Sequence, residues 1–360
     1  MKKRAIAIIF GGKSPEHEVS IISAKSIYHA IDQDKFEVSL IGISPAGKWF
    51  LIQEADFLAA DFQIKTGREL YLLPGHTQDQ IRILDTGKSV GTFDAVFPIV
   101  HGTNGEDGTL QGLLRHLNIP FVGPDVLGSA VAMDKDVCKR LFIEKDIGCA
   151  EGIVIHHYEK KEINYEKIVE KLGQILFIKP CNMGSSVGVH KSMNKKDFYE
   201  SIEDAFLYDS KILVEKAIVG REIECAVLGN EDPQASTVGE IVMEKGFYDF
   251  ESKYQSADNA KLYIPALNLS EELIAKIKDT AIRAYRCLEL EGMSRVDVFV
   301  TATQEVIVNE VNTLPGFTSI SMYPKLWEKS GIAYKELITN LIDLAIQREQ
   351  KRQELKSTRL

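Results

Sequence analysis

Residues 295–312 carry the side chains best suited to chemistry. Arg295, Asp297 and Phe299 alternate with Val296, Val298 and Val300, and the run 306–312 alternates again, so both read as β-strands. With a tight turn at Thr303-Gln304, Asp297 falls across from Glu310 and Arg295 across from Asn312. On this register Val306, Val308, Glu310 and Asn312 share one face. Two carboxylates and an amide oxygen suit a hard divalent cation such as Mg²⁺. A half-buried hairpin with a wet polar face shows the same alternation. The company decides between them: Arg295 shares the polar face, and the second strand runs into Leu314-Pro315-Gly316-Phe317, a turn able to present backbone N–H groups. A metal pair beside a cation and a glycine turn is a layout for phosphate chemistry.

Other stretches offer partners for a phosphate. Lys179 ends an apolar run and precedes the loop 182–188 (NMGSSVG), which bends sharply and supplies N–H and hydroxyl donors. It is not a Walker loop, because the lysine precedes the glycines. Lys135 lies in a segment read as helical. Glu215, followed by Lys216, Ala217 and Ile218, ends another strand and offers one carboxylate and a backbone edge for a base and a sugar. Residues 244–263 are aromatic and charged without period, which reads as a long loop over a site with Lys253 and Tyr254 as its working groups. Near the start, Gly11-Gly12 follows a buried strand, Glu18 falls in the first turn of the next helix, and His101 ends a later strand. A helix dipole alone accounts for Glu18, and a strand-end histidine is often structural. All of them share one carboxyl-end rim.

These groups need a sizeable scaffold. The chain has 360 residues, 44% hydrophobic and 26% charged, which is room for two or three domains of an ordinary globular protein. Its net charge of −9 argues against nucleic acid, so a nucleotide partner is a small molecule. The apolar run 5–10 is too short for a membrane span. Five cysteines without a CxxC pair read as reduced cytoplasmic thiols, with no zinc site or disulfide framework. The fold class is α/β. An N-terminal domain over 1–124 is a small doubly wound parallel sheet, with a poorly patterned stretch up to about residue 92. A central lobe spans 125–215, a C-terminal lobe with the hairpin and the long loop spans 216–350, and a basic tail covers 351–360.

The motifs FGGKSPEHEVS (10–20), HGTNGEDGTLQG (101–112), MDKD (133–136), KPCNMGSSVGV (179–189), EKAIVGREIE (215–224), YDFESKY (248–254), RVDVF (295–299) and NEVNTLPGFTSISMYPKLW (309–327) follow in order over nearly the whole chain. Together they resemble the D-alanine–D-alanine ligase family of the ATP-grasp fold. The resemblance implies three domains with ATP between the last two, and ligation of two D-alanine molecules through an acyl phosphate for peptidoglycan synthesis. It also implies Mg²⁺ or Mn²⁺, two ions per site, held by Asp297, Glu310 and Asn312, and a cytoplasmic homodimer. Lys135 and Lys179 would contact phosphates, Glu215 the ribose and residues 216–218 the adenine. Glu222 and Asn309 would face the nucleotide. Glu18 would bind the first ammonium, His101 and Lys253 would lie at the substrate, and Ser185 and Tyr254 would link to Glu18. Arg295 and the Gly316 N–H would meet the oxyanion, while Ser321 and Met322 would hold the second carboxylate. Relatives that make D-alanyl-D-lactate replace the loop tyrosine, so Tyr254 argues against them. A D-alanine–D-serine ligase shares almost every motif. A non-catalytic nucleotide-binding relative would have lost some of Glu18, Arg295, Asp297, Glu310 and Asn312, and all five are present.

Overall fold

The computed structural model describes residues 2–65, 67–243 and 260–356. The first sheet has seven strands: β1 (Arg4–Gly11), β2 (Phe36–Ile43), β3 (Trp49–Ile52), β4 (Arg68–Leu72), β5 (Ile81–Ile83), β6 (Ser89–Gly91) and β7 (Ala95–Ile99). Their order is β6-β5-β4-β3-β2-β1-β7. Only β2, β1 and β7 are parallel; β3 to β6 form an antiparallel extension. The stretch read as poorly patterned therefore holds four strands and the short helix Glu54–Leu58. Strands of three to five residues carry too few alternations to be read, and pairing with neighbours makes them. Along β1, Ile6, Ile8 and Phe10 enter one core while Ala7 and Ile9 enter another, so both faces are covered. The chain passes from β1 to β2 on one side and reaches β7 on the other, which leaves a crevice at the carboxyl ends of β1 and β7.

A second, antiparallel sheet contains β8 (Gly152–His156), β9 (Leu176–Pro180), β10 (His190–Ser192) and β11 (Lys211–Lys216), in the order β10-β9-β11-β8. Ile178, Ile212 and Val214 pack against the helices Tyr165–Leu172 and Lys195–Ala205. The period of two then turns Phe177, Lys179 and Glu215 to the opposite face. The third sheet contains β12 (Arg221–Gly229), β13 (Gln234–Met243), β14 (Ala260–Tyr263), β15 (Gly292–Val300) and β16 (Val306–Asn312), in the order β14-β13-β12-β15-β16. One face packs on the helix Glu271–Cys287 through Ile223, Cys225, Val296 and Val298. The other carries the charged residues of the expected hairpin.

Helix limits differ from the sequence reading at informative places. Residues 133–135, expected inside one helix, divide two: Val126–Met133 ends, and Asp134 caps Lys135–Glu144 by accepting from the Asp136 and Val137 N–H groups, each at 3.1 Å. Ala132, Cys138 and Phe142 from this segment enter the core of the third sheet. The closing helix runs Tyr334–Glu354, four residues into the stretch read as a tail. Of the loop 244–263, residues 260–263 form β14, while Lys253 and Tyr254 lie outside the described residues.

Candidate active site

Three strands set a row of acids. Glu224 on β12 pairs with Asp297 on β15, and Asp297 pairs with Glu310 on β16, so three carboxylates stand side by side at one level. Arg295 sits one step along, opposite Asn312, as the alternation predicts. The faces of β16 differ from that reading. The register shifts between Asp297 and Val298, leaving Asn309 as the extra residue of a bulge. Val306 and Val308 therefore stay in the core with Val311, while Glu310 and Asn312 turn to the charged face. A strict period of two would have placed Val306 and Val308 beside Glu310.

Arg295 binds Asp297 through two hydrogen bonds of 2.7 Å, and its Nε lies 2.9 Å from Glu224 Oε2. Burial works against the guanidinium charge, but Asp297 and Glu224 outweigh it and hold the pKa above its ordinary value. Asn312 Nδ2 donates to Asp297 Oδ2 at 2.9 Å. Among the described residues, no group of three or more His, Cys, Asp and Glu side chains is arranged to hold a metal. The set that fits is mixed: two carboxylates and the Asn312 amide oxygen, all hard donors on one wall where carboxylates outnumber cations.

This wall is shared by two cavities, of about 250 and about 170 Å³. Lys135, Lys179, Ser185, Glu215, Glu224, Arg295, Asn309 and Glu310 line both. Lys135, the first residue of its helix, donates to the Met183 carbonyl at 2.6 Å. Burial lowers its pKa, with Lys179 adding to that and Glu310 opposing it. Glu215 is buried between the ammonium groups of Lys139 and Lys179. Burial would raise its pKa, yet the two lysines outweigh this and hold it low; Glu215 in turn holds Lys179 high against burial. One lysine thus lies on each of its oxygens. Ser185 and Ser186 have φ of 52° and 58°. Such left-handed backbone in non-glycine residues persists where the surroundings impose it.

The smaller cavity is lined further by Phe177, Lys216, Ile218, Glu222, Asp297 and Phe299. Ala217 is not part of its lining; the N–H groups of Lys216 and Ala217 donate to the Glu151 and Ile175 carbonyls. The larger cavity reaches the crevice of the first sheet, where His101, Asn312, Gly316, Ser321 and Met322 line it.

Glu18 is not there. It is exposed in the first turn of the helix His17–Ala30, and the acid of this segment that lines the cavity is Glu16, which is 7% exposed. Two residues along a helix is about 200° of rotation, so the two glutamates cannot face the same way. A Cβ on Gly102 would lie 2.7 Å from Glu16 Oε2, and one on Gly184 would lie 3.4 Å from it, so three loops converge on this carboxylate. His101 lines the larger cavity, and its ring is bonded within the protein. Its Nδ1 donates to the Leu314 carbonyl at 3.0 Å, and its Nε2 lies 3.2 Å from Ser23 Oγ. Burial lowers its pKa, keeping the ring neutral, and neither nitrogen is left for a ligand.

Sequence reasoning missed Glu16, Glu106, Lys139 and Glu224, and a signal existed for each: Glu16 stands within the 10–20 motif. Glu106 stands within the 101–112 motif; Lys139 follows Lys135 by one helical turn; Glu224 shares a strand face with Glu222.

Comparison with known proteins bears on what this arrangement serves. The family described as "D-ala D-ala ligase N-terminus" matches residues 5–124, and "D-ala D-ala ligase C-terminus" matches residues 141–343. The chain is 52% identical to a D-alanine–D-alanine ligase of Oceanobacillus iheyensis, over 99% of both chains. It is 47% identical to D-alanine–D-alanine ligase A of Escherichia coli, over 99% of this chain and all of that one. Among solved structures, the D-alanine–D-alanine ligase of Coxiella burnetii superposes with a TM-score of 0.86 at 38% identity, covering 98% of each chain. The VanG D-Ala:D-Ser ligase of Enterococcus faecalis gives 0.85 at 35% identity, covering 96% of this chain and all of that one.

Proposed function

The chain belongs to the D-alanine–D-alanine ligase family, and from that premise we propose how its two cavities divide the joining of two D-alanine molecules at the expense of ATP, a step toward peptidoglycan. ATP occupies the smaller cavity. Its adenine lies along Lys216 and Ile218, Glu222 and Glu215 face the ribose side, and the phosphates reach Lys135, Lys179 and the loop around Ser185. The first D-alanine occupies the larger cavity with its ammonium toward Glu16. Its carboxylate oxygen attacks the γ-phosphorus, ADP leaves, and an acyl phosphate remains. Asp297, Glu310 and Asn312 would hold Mg²⁺ or Mn²⁺, which would screen the charge of the transferring phosphoryl group.

The amine of the second D-alanine then attacks the acyl carbon. Negative charge gathers on the carbonyl oxygen, where Arg295 and the Gly316 N–H meet it, and inorganic phosphate departs. The second carboxylate lies at Ser321 and Met322, where the helix Met322–Lys329 begins and unsatisfied N–H groups favour an anion. Met322 is 5% exposed and gives that pocket an apolar wall suited to a methyl group. A cytoplasmic homodimer fits the family. Among the described residues, no helix is long and apolar enough to cross a membrane.

The observation that carries the reading is the shared wall: lysines for phosphate, an acid row for cations and Arg295 for an oxyanion, all between two adjoining cavities. The likeness to a D-Ala:D-Ser ligase supplies a second reading for the acceptor site. Both are tested by offering D-alanine with equal D-serine or D-lactate, following phosphate release, and weighing the products. D-alanyl-D-alanine is expected to dominate, because Met322 offers a methyl an apolar wall, and a serine hydroxyl left unpaired against it costs about 1–3 kcal/mol. Dominant D-alanyl-D-serine would move the chain to the second reading.

A further inference from the structure

The turn 314–317 does not hold itself. Glu106 Oε1 accepts the Leu314 N–H at 3.0 Å, while its Oε2 accepts the Gly102 N–H at 2.7 Å. His101 Nδ1 meets the Leu314 carbonyl, and since a carbonyl only accepts, the ring proton is on Nδ1. Nε2 is therefore an acceptor, and the donor to it is the hydroxyl of Ser23, 3.2 Å away. Ser23 Oγ in turn accepts the Phe317 N–H at 3.4 Å. An unbroken chain of hydrogen bonds thus runs from Phe317 through Ser23 and His101 back to Leu314, whose own N–H ends on Glu106.

Ser23 and His101 are 0% and 4% exposed, and Glu106 stands on the cavity wall. Burial and the nearby Glu16 carboxylate push the Glu106 pKa up, and burial keeps His101 neutral, as the chain of donors requires. On the far side, Tyr334 Oη donates to the Phe317 carbonyl at 2.7 Å, and the Phe317 ring meets Phe97 edge-on at 5.6 Å. Of the turn's N–H groups, Leu314 and Phe317 are committed to the clamp and Pro315 has none. Gly316, between them, lines the cavity.

We propose that Ser23, His101 and Glu106 are positioning residues that hold the Leu314–Phe317 turn at both ends and so aim the Gly316 N–H at the developing oxyanion. The clamp deepens the proposed function and rests on its reading of Gly316. All three side chains come from the first sheet's rim and the helix beside it, whereas the turn belongs to the C-terminal lobe. The part of the molecule that seats the first substrate thereby also sets the geometry of the transition state.

The test compares the whole wild-type enzyme with Glu106→Gln and Ser23→Ala. Measured are kcat, the KM for D-alanine, affinity for a non-hydrolysable ATP analogue, and affinity for a phosphinate mimic of the tetrahedral intermediate. Glutamine keeps one acceptor and sets an NH₂ against the other N–H; alanine at 23 opens the chain with little change in volume. The clamp predicts that kcat and mimic affinity fall together by about 10- to 100-fold in either variant, with binding of the ATP analogue within twofold of wild type. If Glu106→Gln does not fold, Ser23→Ala decides. Variants whose mimic affinity stays within twofold of wild type would overturn the clamp, as would a parallel loss of ATP-analogue binding, the mark of a merely structural role. Wild-type enzyme that turns over D-alanine yet fails to bind the mimic would instead overturn the oxyanion assignment of Gly316, and the clamp's purpose with it.

Discussion

Single side chains in this site are set by desolvation as much as by partners. Glu106 shows it best: burial and the Glu16 carboxylate push its pKa up to about 8 from 4.5. Below pH 4.5 the group is protonated in both folded and unfolded chains. Between 4.5 and about 8 the unfolded chain releases the proton and the folded one keeps it, so stability falls as pH rises through that window. Thermal unfolding of wild type should therefore lose stability across it more steeply than Glu106→Gln; parallel profiles would remove Glu106 as the source. Glu215 has the opposite sign. Its lysines hold its pKa low, so the stability it contributes is present above its unfolded pKa and is lost as pH falls through the folded value. Of the two acids at the start of the first helix, Glu16 lines the larger cavity; residue type was legible in PEHE while direction was not. Two glutamates two positions apart look alike in sequence and face opposite ways on a helix start.

At the scale of elements, ends and irregularities place the chemistry. Asp134 closes one helix and caps the next, also binding Lys211 Nζ at 2.6 Å, and this puts Lys135 at the first helical position. Asp134→Ala should cost about 1 kcal/mol of stability. By loosening Lys135 it should also raise the KM for ATP several-fold while leaving that for D-alanine unchanged, as steady-state kinetics with each substrate varied would measure. Equal changes in both would place Asp134 outside the phosphate site. The hairpin was legible down to the pairing of Asp297 with Glu310, since valines and charged residues alternate cleanly along β15. The bulge at Asn309 was not. A single extra residue changes no composition or local propensity, and is stable here because it keeps Val306, Val308 and Val311 in one core and Glu310 on the charged wall.

Across the whole molecule, the hydrophobic cores divide unequally. One core joins β1 and β7 to Phe317, Tyr323 and Trp327, so the first sheet and the end of the chain pack as one. The core under the second sheet contains only residues of its own lobe, from Ile155 to Val214. Lys179 and Glu215 on that lobe face the acid row of the third sheet across the cavities. The second sheet with its two helices has a private core, unlike residues 126–147, which pack on the third sheet, and a unit that meets the rest over charged cavity walls is free to close as a body. Addition of ATP analogue and phosphinate mimic should reduce the radius of gyration in small-angle scattering; superimposable curves with and without ligands would show the lobe to be fixed.

The order of motifs, the α/β class, the paired strands and the residue types needed for phosphoryl transfer were present in the sequence, because each rests on local pattern: period, turn residues, charge next to glycine. Besides the bulge at Asn309, tertiary structure alone decided three things. The short strands β3 to β6 exist because neighbours pair with them. Glu16 rather than Glu18 faces the cavity because helix phase at a terminus depends on how the loop before it docks. Glu106, His101 and Ser23 meet Leu314 and Phe317 across 208 to 294 residues of chain, and no local pattern reports a contact made at that separation.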